Sequence, residues 1–272
     1  MRFILSLAGT LALASCAHHP APATPAQSLR VMTYNIQAGA GNLDGIADVI
    51  RSSGAEIVAL QEVDVHWHAR SGFADQAAVL ADRLGMQVRF APIYQLPGAS
   101  ASSPSREYGV ALLSRHPIVA FTNHQITRLS TQADATAPTP MPGLLEAVVA
   151  VGSTRVRVFN THFDYRADPS VRRRQVAETL SLIGSSAIPT LMFGDFNAGS
   201  DAPELAPLLA RLHDTWTAAA DAGYTYPSGT PAKRIDYILA SAHFRSAASR
   251  VLDRRESDHR PVVADLVLAE PR

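Results

Sequence analysis

Ser257-Asp258-His259-Arg260-Pro261 stands directly ahead of the apolar run 262–268, and four segments far upstream share its form. They are Thr33-Tyr34-Asn35-Ile36, Leu60-Gln61-Glu62-Val63, Asn160-Thr161-His162-Phe163-Asp164 and Gly194-Asp195-Phe196-Asn197. Each sets a carboxylate, an amide or an imidazole beside a short apolar run that reads as a β-strand. Strand ends are where a rigid sheet holds polar groups in fixed positions. Five such ends in one chain predict a single convergent site. Its groups are oxygen donors and two histidines, a set suited to a hard divalent cation and a phosphate ester.

Outward from these motifs, strands alternate with helices. Strands are predicted at 29–36, 57–60, 108–113, 118–126, 144–151, 154–160, 188–193, 235–239 and 262–268. Apolar residues at 43, 46, 49 and 50 have helical spacing, with Gly54 as the stop. Two further helices are predicted, 76–84 ending at Gly85 and 171–183. The stretches 96–105, rich in Pro, Gly, Ala and Ser, and 131–143, rich in Thr, Pro and Ala, read as mobile surface loops at the rim of the site. With 272 residues, 47% of them hydrophobic, the chain can bury one large α/β core, which favours one domain over two small ones. Lys+Arg and Asp+Glu are both 24, so the basic excess of a processive nucleic-acid binder is absent.

The N-terminus reads as a targeting segment. Met1-Arg2 is a minimal positive start, and Phe3 to Ala14 is an apolar run too short to span a membrane but suited to a signal-peptide core. Leu13-Ala14-Ser15-Cys16 resembles a bacterial lipobox, which makes 1–15 a signal peptide and Cys16 a lipidated N-terminus. The alternative is an ordinary signal peptide with a stray cysteine. Cys16 is the only cysteine, so disulfides and thiolate metal sites are excluded. The prolines of 16–28 favour an extended tether, leaving 29–270 as the folded domain. The residue after Cys16 is Ala17 rather than Asp, and the likeness to sorted bacterial lipoproteins places the chain in the cell envelope, at the outer membrane facing the periplasm.

The side chains themselves suggest roles. Glu62 ends an apolar strand, where a bare carboxylate is costly to bury, so it reads as a metal ligand or half of an ion pair. Asn35 is similar, or caps a turn. Asp236 lies on a separate strand from His259, and a carboxylate on one imidazole nitrogen fixes the tautomer and raises the basicity of the other. Asp195 and Asn197, two apart, share a face if their segment is extended. Tyr108 at a strand start reads as a phosphate contact or as packing. His66-Trp67-His68 has two histidines on one face but no third zinc ligand, and reads as a solvated loop with one aromatic anchor. Arg172-Arg173-Arg174 on a helix reads as a solvated face.

With Arg234-Ile235-Asp236-Tyr237-Ile238 also in place, the motifs in this order resemble the endonuclease/exonuclease/phosphatase superfamily of metal-dependent phosphoesterases. That superfamily includes DNase I-like nucleases, neutral sphingomyelinases and inositol polyphosphate 5-phosphatases. The resemblance implies a four-layer α/β sandwich: two packed mixed β-sheets, flanked by helices, in two similar halves. It implies that Asn35 and Glu62 hold Mg²⁺, or Mn²⁺, with Asp258 beside the metal. It makes Asp236 the partner of His259, and His162 a donor to a phosphoryl oxygen. Asp195 would orient the attacking water and Asn197 the phosphate, with either Asp195 or His259 as general base. Tyr108 matches a phosphate-touching position. Asn160 would support the site from behind, and Asp164 would orient His162 or lie outside. Ser71-Gly72-Phe73-Ala74-Asp75-Gln76, with the helix and Gly85-Met86 after it, is similar to the bacterial metal-dependent hydrolase branch near the sphingomyelinases.

The expected function is therefore Mg²⁺-dependent hydrolysis of a lipid headgroup or small phosphodiester by a monomeric, lipid-anchored enzyme. A secreted nuclease would need a basic, aromatic-lined groove, and the aromatics are not interleaved with basic residues in sequence. An inositol-phosphate type of phosphomonoesterase would need several converging cations, and Lys233 is the only lysine. A catalytically silent surface lipoprotein would not be expected to keep the whole set of motifs.

Overall fold

The computed structural model describes residues 27–268 except 99, 133, 186 and 218–220, so the expected signal peptide and Cys16 lie outside the described residues. One sheet contains β1 (Ser28–Asn35), β2 (Ile57–Val65), β3 (Gln87–Leu96), β4 (Arg106–Ser114), β11 (Phe244–Val251) and β12 (Val262–Leu268), in the order β11-β12-β1-β2-β4-β3. The other contains β5 (Ile118–Arg128), β6 (Thr139–Val151), β7 (Thr154–His162), β8 (Thr190–Asp195), β9 (His213–Asp214) and β10 (Asp236–Ala240), in the order β5-β6-β7-β8-β10-β9. Both sheets are mixed, and each has one parallel pair at its centre. In the first, β1 and β2 are joined through α1 (Leu43–Ser53); in the second, β7 and β8 are joined through α3 (Ser170–Ile183). Antiparallel strands flank each pair, so the two halves repeat one plan.

Alternation along the strands produces the layers, because successive side chains face opposite sides of a sheet. Val31, Ala59 and Leu112 from one sheet meet Val158, Phe193 and Ile238 from the other in an inner core. Met32, Tyr34, Val58 and Leu60 face outward against α1 and α2 (Gln76–Leu84). Phe159, Met192 and Leu239 face the opposite way, in the cluster that also holds Val176 of α3 and Leu208 of α4 (Ala206–Arg211). The result is the four-layer sandwich that the motifs imply. Helix ends follow local rules: Asn42 and Asp75 accept from the Gly45 and Ala78 N–H groups as N-caps, while Gly54 and Gly85 take the left-handed conformation at the C-caps.

Several elements depart from the sequence reading. β3, β9, β11 and α4 were not expected. β3 and β11 are edge strands with mostly exposed or half-buried residues, so neither carries a strong apolar alternation. The predicted loop 131–143 is shorter than expected, because 139–143 belongs to β6, where Thr139, Pro140 and Met141 pair with Arg128, Thr127 and Ile126. Its prolines are tolerated because that part of β6 has a partner on one side only; pairing with β7 begins at Leu144. Leu96 likewise ends β3 rather than starting a loop.

Candidate active site

The inner core becomes polar at one end of both sheets. The alternation that places Val158, Phe193 and Ile238 inward places His162, Asp195 and Asp236 on the same face. These three are neighbours in register, His162 opposite Asp195 and Asp195 opposite Asp236. From the facing sheet, Asn35 and Gln61 end the inward rows of β1 and β2 and pair with each other in register. A β-bulge between Leu60 and Val63 then inserts Glu62, whose φ of 56° is left-handed. The bulge lets Leu60 and Val63 both face the helices and directs Glu62 into the cleft. Ser257 anchors the last motif by donating from its hydroxyl to the Asn35 carbonyl at 2.7 Å.

A cleft of about 500 Å³ results, lined by Glu62, Tyr108, His162, Asp195, Asn197, Asp258 and His259 among others. Asp236 Oδ2 lies 2.9 Å from His259 Nδ1, which orients the ring and turns Nε2 towards Asp195. That Nε2 is 3.6 Å from Asp195 Oδ2, and His162 Nε2 is 3.5 Å from the same oxygen. Tyr226 packs its ring on His259 with centroids 4.8 Å apart. Burial lowers the pKa of His259, but Asp236, by charge and hydrogen bond, together with Asp195 and Asp258, outweighs it and raises the value to about 10. Burial and the charge of Asp236 hold Asp195 above the usual carboxylate range, against the pull of both imidazoles and Asn35. Burial, then Glu62, keeps the Tyr108 phenol well above its ordinary value, so it is a hydrogen-bond donor.

The arrangement has the chemistry of a cation site. Asp195, Asp236 and His259 bring three ligand atoms within 4.8 Å of one another. That trio already contains the close Asp236–His259 hydrogen bond, although Asp236 Oδ1 is buried with no partner. Glu62 and Asp258 form no ion pair with a basic residue of another segment among the described residues. The Asp258 carboxyl is raised by burial and further by the charge of Glu62, against the opposing effect of His259. At the motif end of the cleft four carboxylates meet two imidazoles, a local excess of negative charge that a divalent cation would offset. Asn35 donates from Nδ2 to Glu62 Oε1 at 2.9 Å and to Asp195 Oδ2 at 3.0 Å, while its oxygen accepts from the Gln37 N–H. Its oxygen would face a cation only after the amide turned over.

Most of the predicted residues come together, with some reassignments. Asp195 and Asn197 both reach the cleft, but not along an extended segment. Asn197 has φ 52°, its N–H donates to Asp195 Oδ1 at 3.0 Å, and its side chain donates to the Phe163 carbonyl at 3.0 Å. Asn160 accepts from Gln61 Nε2 at 2.7 Å and donates to the Leu60 and Ala111 carbonyls, each at 2.9 Å, joining the two sheets behind the site. Asp164 pairs with Arg166. His66 and His68 are occupied by the Phe73 carbonyl and the Arg70 N–H, and Trp67 packs on Tyr94 and Tyr108 with centroids 6.2 and 5.9 Å away. Arg172 is not on a solvated face: it is buried and paired with Glu204 at 2.8 Å, while Arg173 and Arg174 are exposed. Arg128, Arg166, Tyr94 and Tyr226 also line the cleft. None carried a motif, and only their position in the fold reveals them.

Comparison with known proteins agrees with this geometry. Residues 32–259 match the profile of the Endonuclease/Exonuclease/phosphatase family. The uncharacterized protein YbhP of Escherichia coli is 28% identical over 261 residues, covering 89% of this chain and 97% of YbhP. The crystal structure of an endonuclease/exonuclease/phosphatase from Beutenbergia cavernae superposes with a TM-score of 0.69 and 26% identity, over 89% of this chain and 72% of that one. The human Nocturnin catalytic domain, solved with a bound sulfate anion, superposes at 0.67 and 21% identity, over 89% and 94% of the two chains. With the family motifs meeting in one cleft, the chain belongs to the endonuclease/exonuclease/phosphatase family and is a hydrolase of phosphoester bonds.

Proposed function

We propose that the protein is a Mg²⁺-dependent phosphodiesterase, with Mn²⁺ able to substitute, acting on a small phosphodiester, foremost a lipid headgroup. The observation that carries this is the in-register row His162–Asp195–Asp236, with His259 bound to Asp236, facing Glu62 and Asp258 across one cleft. A divalent cation held by Glu62 and Asp258, with Asn35 beside them, would supply positive charge for the phosphoryl oxygens and the leaving alkoxide. Asp236 orients His259. A water near Asp195 Oδ2 and His259 Nε2 is within reach of both, and the pair accepts its proton as one coupled unit. His162, Asn197 and Tyr108 donate to the phosphoryl oxygens, where charge develops as the bond to the attacking water forms. The cleft volume suits a headgroup or small ester.

One observation favours a second reading. Tyr94 stacks on both Trp67 and Tyr108, which are tilted to each other, and Arg70 lies over Tyr108 at 5.8 Å. Such a platform beside the cleft could stack a base, which supports a nuclease or a nucleotide esterase. The test is turnover by purified protein of bis-p-nitrophenyl phosphate, sphingomyelin, phosphatidylinositol, DNA and RNA. Small or lipid diesters should be hydrolysed with Mg²⁺, lose turnover in chelator and regain it with Mg²⁺ or Mn²⁺. Full activity in excess chelator would sink the metal reading, and exclusive cleavage of DNA or RNA would replace the lipid reading with the second.

A further inference from the structure

Positive charge in the cleft is left unused by the fold. Three cationic side chains other than histidine line it: Arg128, Arg166 and Lys233. Arg166 is neutralised by Asp164. Arg128 is buried, and its guanidinium donates only to neutral oxygens. These are the carbonyls of Pro142, His162 and Gly143 at 3.0, 2.7 and 2.9 Å and Thr161 Oγ1 at 3.1 Å. Lys233 is exposed, and its ammonium has no hydrogen-bond or ion-pair partner among the described residues.

Lys233 also stands apart by chemistry and placement. Of the 24 Lys and Arg residues it is the only lysine. Arginines serve the structural ion pairs, such as Arg30 with Asp265, Arg157 with Glu146 and Arg172 with Glu204. A lysine offers instead a compact, mobile point charge with no fixed fork. Its stem is fixed at the base: Lys233 N–H donates to the Tyr226 carbonyl at 2.9 Å, and Tyr226 N–H returns the bond at 3.0 Å. The Tyr226 ring is the one packed on His259. The free ammonium therefore belongs to the His259 side of the cleft, three residues before Asp236.

We propose that Lys233, with the charge of Arg128 on the same cleft, selects phosphoesters whose second alcohol carries its own anionic group, a carboxylate or a further phosphate. A cationic headgroup of the choline type would meet two uncompensated positive charges and is disfavoured. The selection rests on the phosphodiesterase reading above and specifies the charge of its substrate.

Three p-nitrophenyl phosphodiesters test this, their second ester arm being glycolate, methyl or choline. In wild type with Mg²⁺, kcat/KM should fall in that order. Lys233→Ala should cut the glycolate-to-choline ratio about ten-fold, or ~1.4 kcal/mol. Lys233→Glu should invert the ratio and Lys233→Arg should restore most of it. A merely structural lysine would change all three esters by one common factor, and that result overturns the proposal. A second readout needs no turnover. Reductive ¹³C-methylation gives a single lysine side-chain NMR signal, which the glycolate ester should shift and the choline ester should not. If the glycolate ester at millimolar concentration leaves that signal unmoved, the proposal is wrong whether or not hydrolysis occurs. If the signal moves but no diester is hydrolysed, charge selection stands and the phosphodiesterase reading falls.

Discussion

His259 is held by carboxylates to a degree that makes its charge testable. With no metal bound, its pKa of about 10 lies above the ~6.5 of an imidazole in an unfolded chain. The group therefore stabilises the metal-free fold fully below pH ~6.5, and that contribution is lost as pH rises towards 10. Asp236→Asn removes the strongest favourable partner. In chelator, the NMR titration of this imidazole should move down in the variant. The stability gap between wild type and variant, read as urea midpoints, should narrow from pH 6.5 to 10. A gap that stays constant over this range would show that the pair does not hold a proton as described. Metal-loaded Asp236→Asn should lose ~10²-fold or more in rate, because the imidazole is no longer oriented. The partnership of Asp236 and His259 was readable from their motifs; the left-handed backbone that aims Glu62 was not, since a carboxylate in a strand does not announce a bulge.

At the scale of elements, the site depends on two sheets keeping one relative position. Asn160 of β7 fixes that position by bonding Gln61, Leu60 and Ala111 of the facing sheet. Replacing it by Ala removes three hydrogen bonds between the two sheets in a buried layer, each worth about 0.5–1.5 kcal/mol. Asn160→Ala should therefore lose at least ~2 kcal/mol in urea unfolding. A loss within ~0.5 kcal/mol would mean that water or local shifts replace the bridge. Elements with two neighbours were legible: β1, β2, β7, β8 and β12 carry apolar alternation or continuous apolar runs and adjoin or contain the motifs. The edge strands β3 and β11 were not, because an edge needs one partner and little apolar surface. The prolines of 139–143 hid a strand for the same reason.

At the scale of the molecule, attachment is the open proposal. No helix among the described residues is long and apolar enough to cross a membrane. We propose that Cys16 carries lipid and so keeps the cleft, whose first strand begins at Ser28, near headgroups at the outer membrane. Cys16→Ser should move the protein from the membrane fraction to the soluble one, and mass spectrometry should find a mature N-terminus beginning at an acylated Cys16. An unmodified terminus at any other residue refutes the anchor. By itself the sequence determined most strands and helices, the location of the site at strand ends and its acid–base side chains, because alternation and local motifs are properties of neighbouring residues; the layers followed from the family resemblance that those motifs carry. Only the tertiary structure decided which charges share the cleft. Arg128, Tyr94 and Lys233 come from strands and loops far apart in the chain, and Arg172 is drawn into a buried pair by Glu204 on another segment. Such meetings depend on how two sheets pack, which no local pattern encodes.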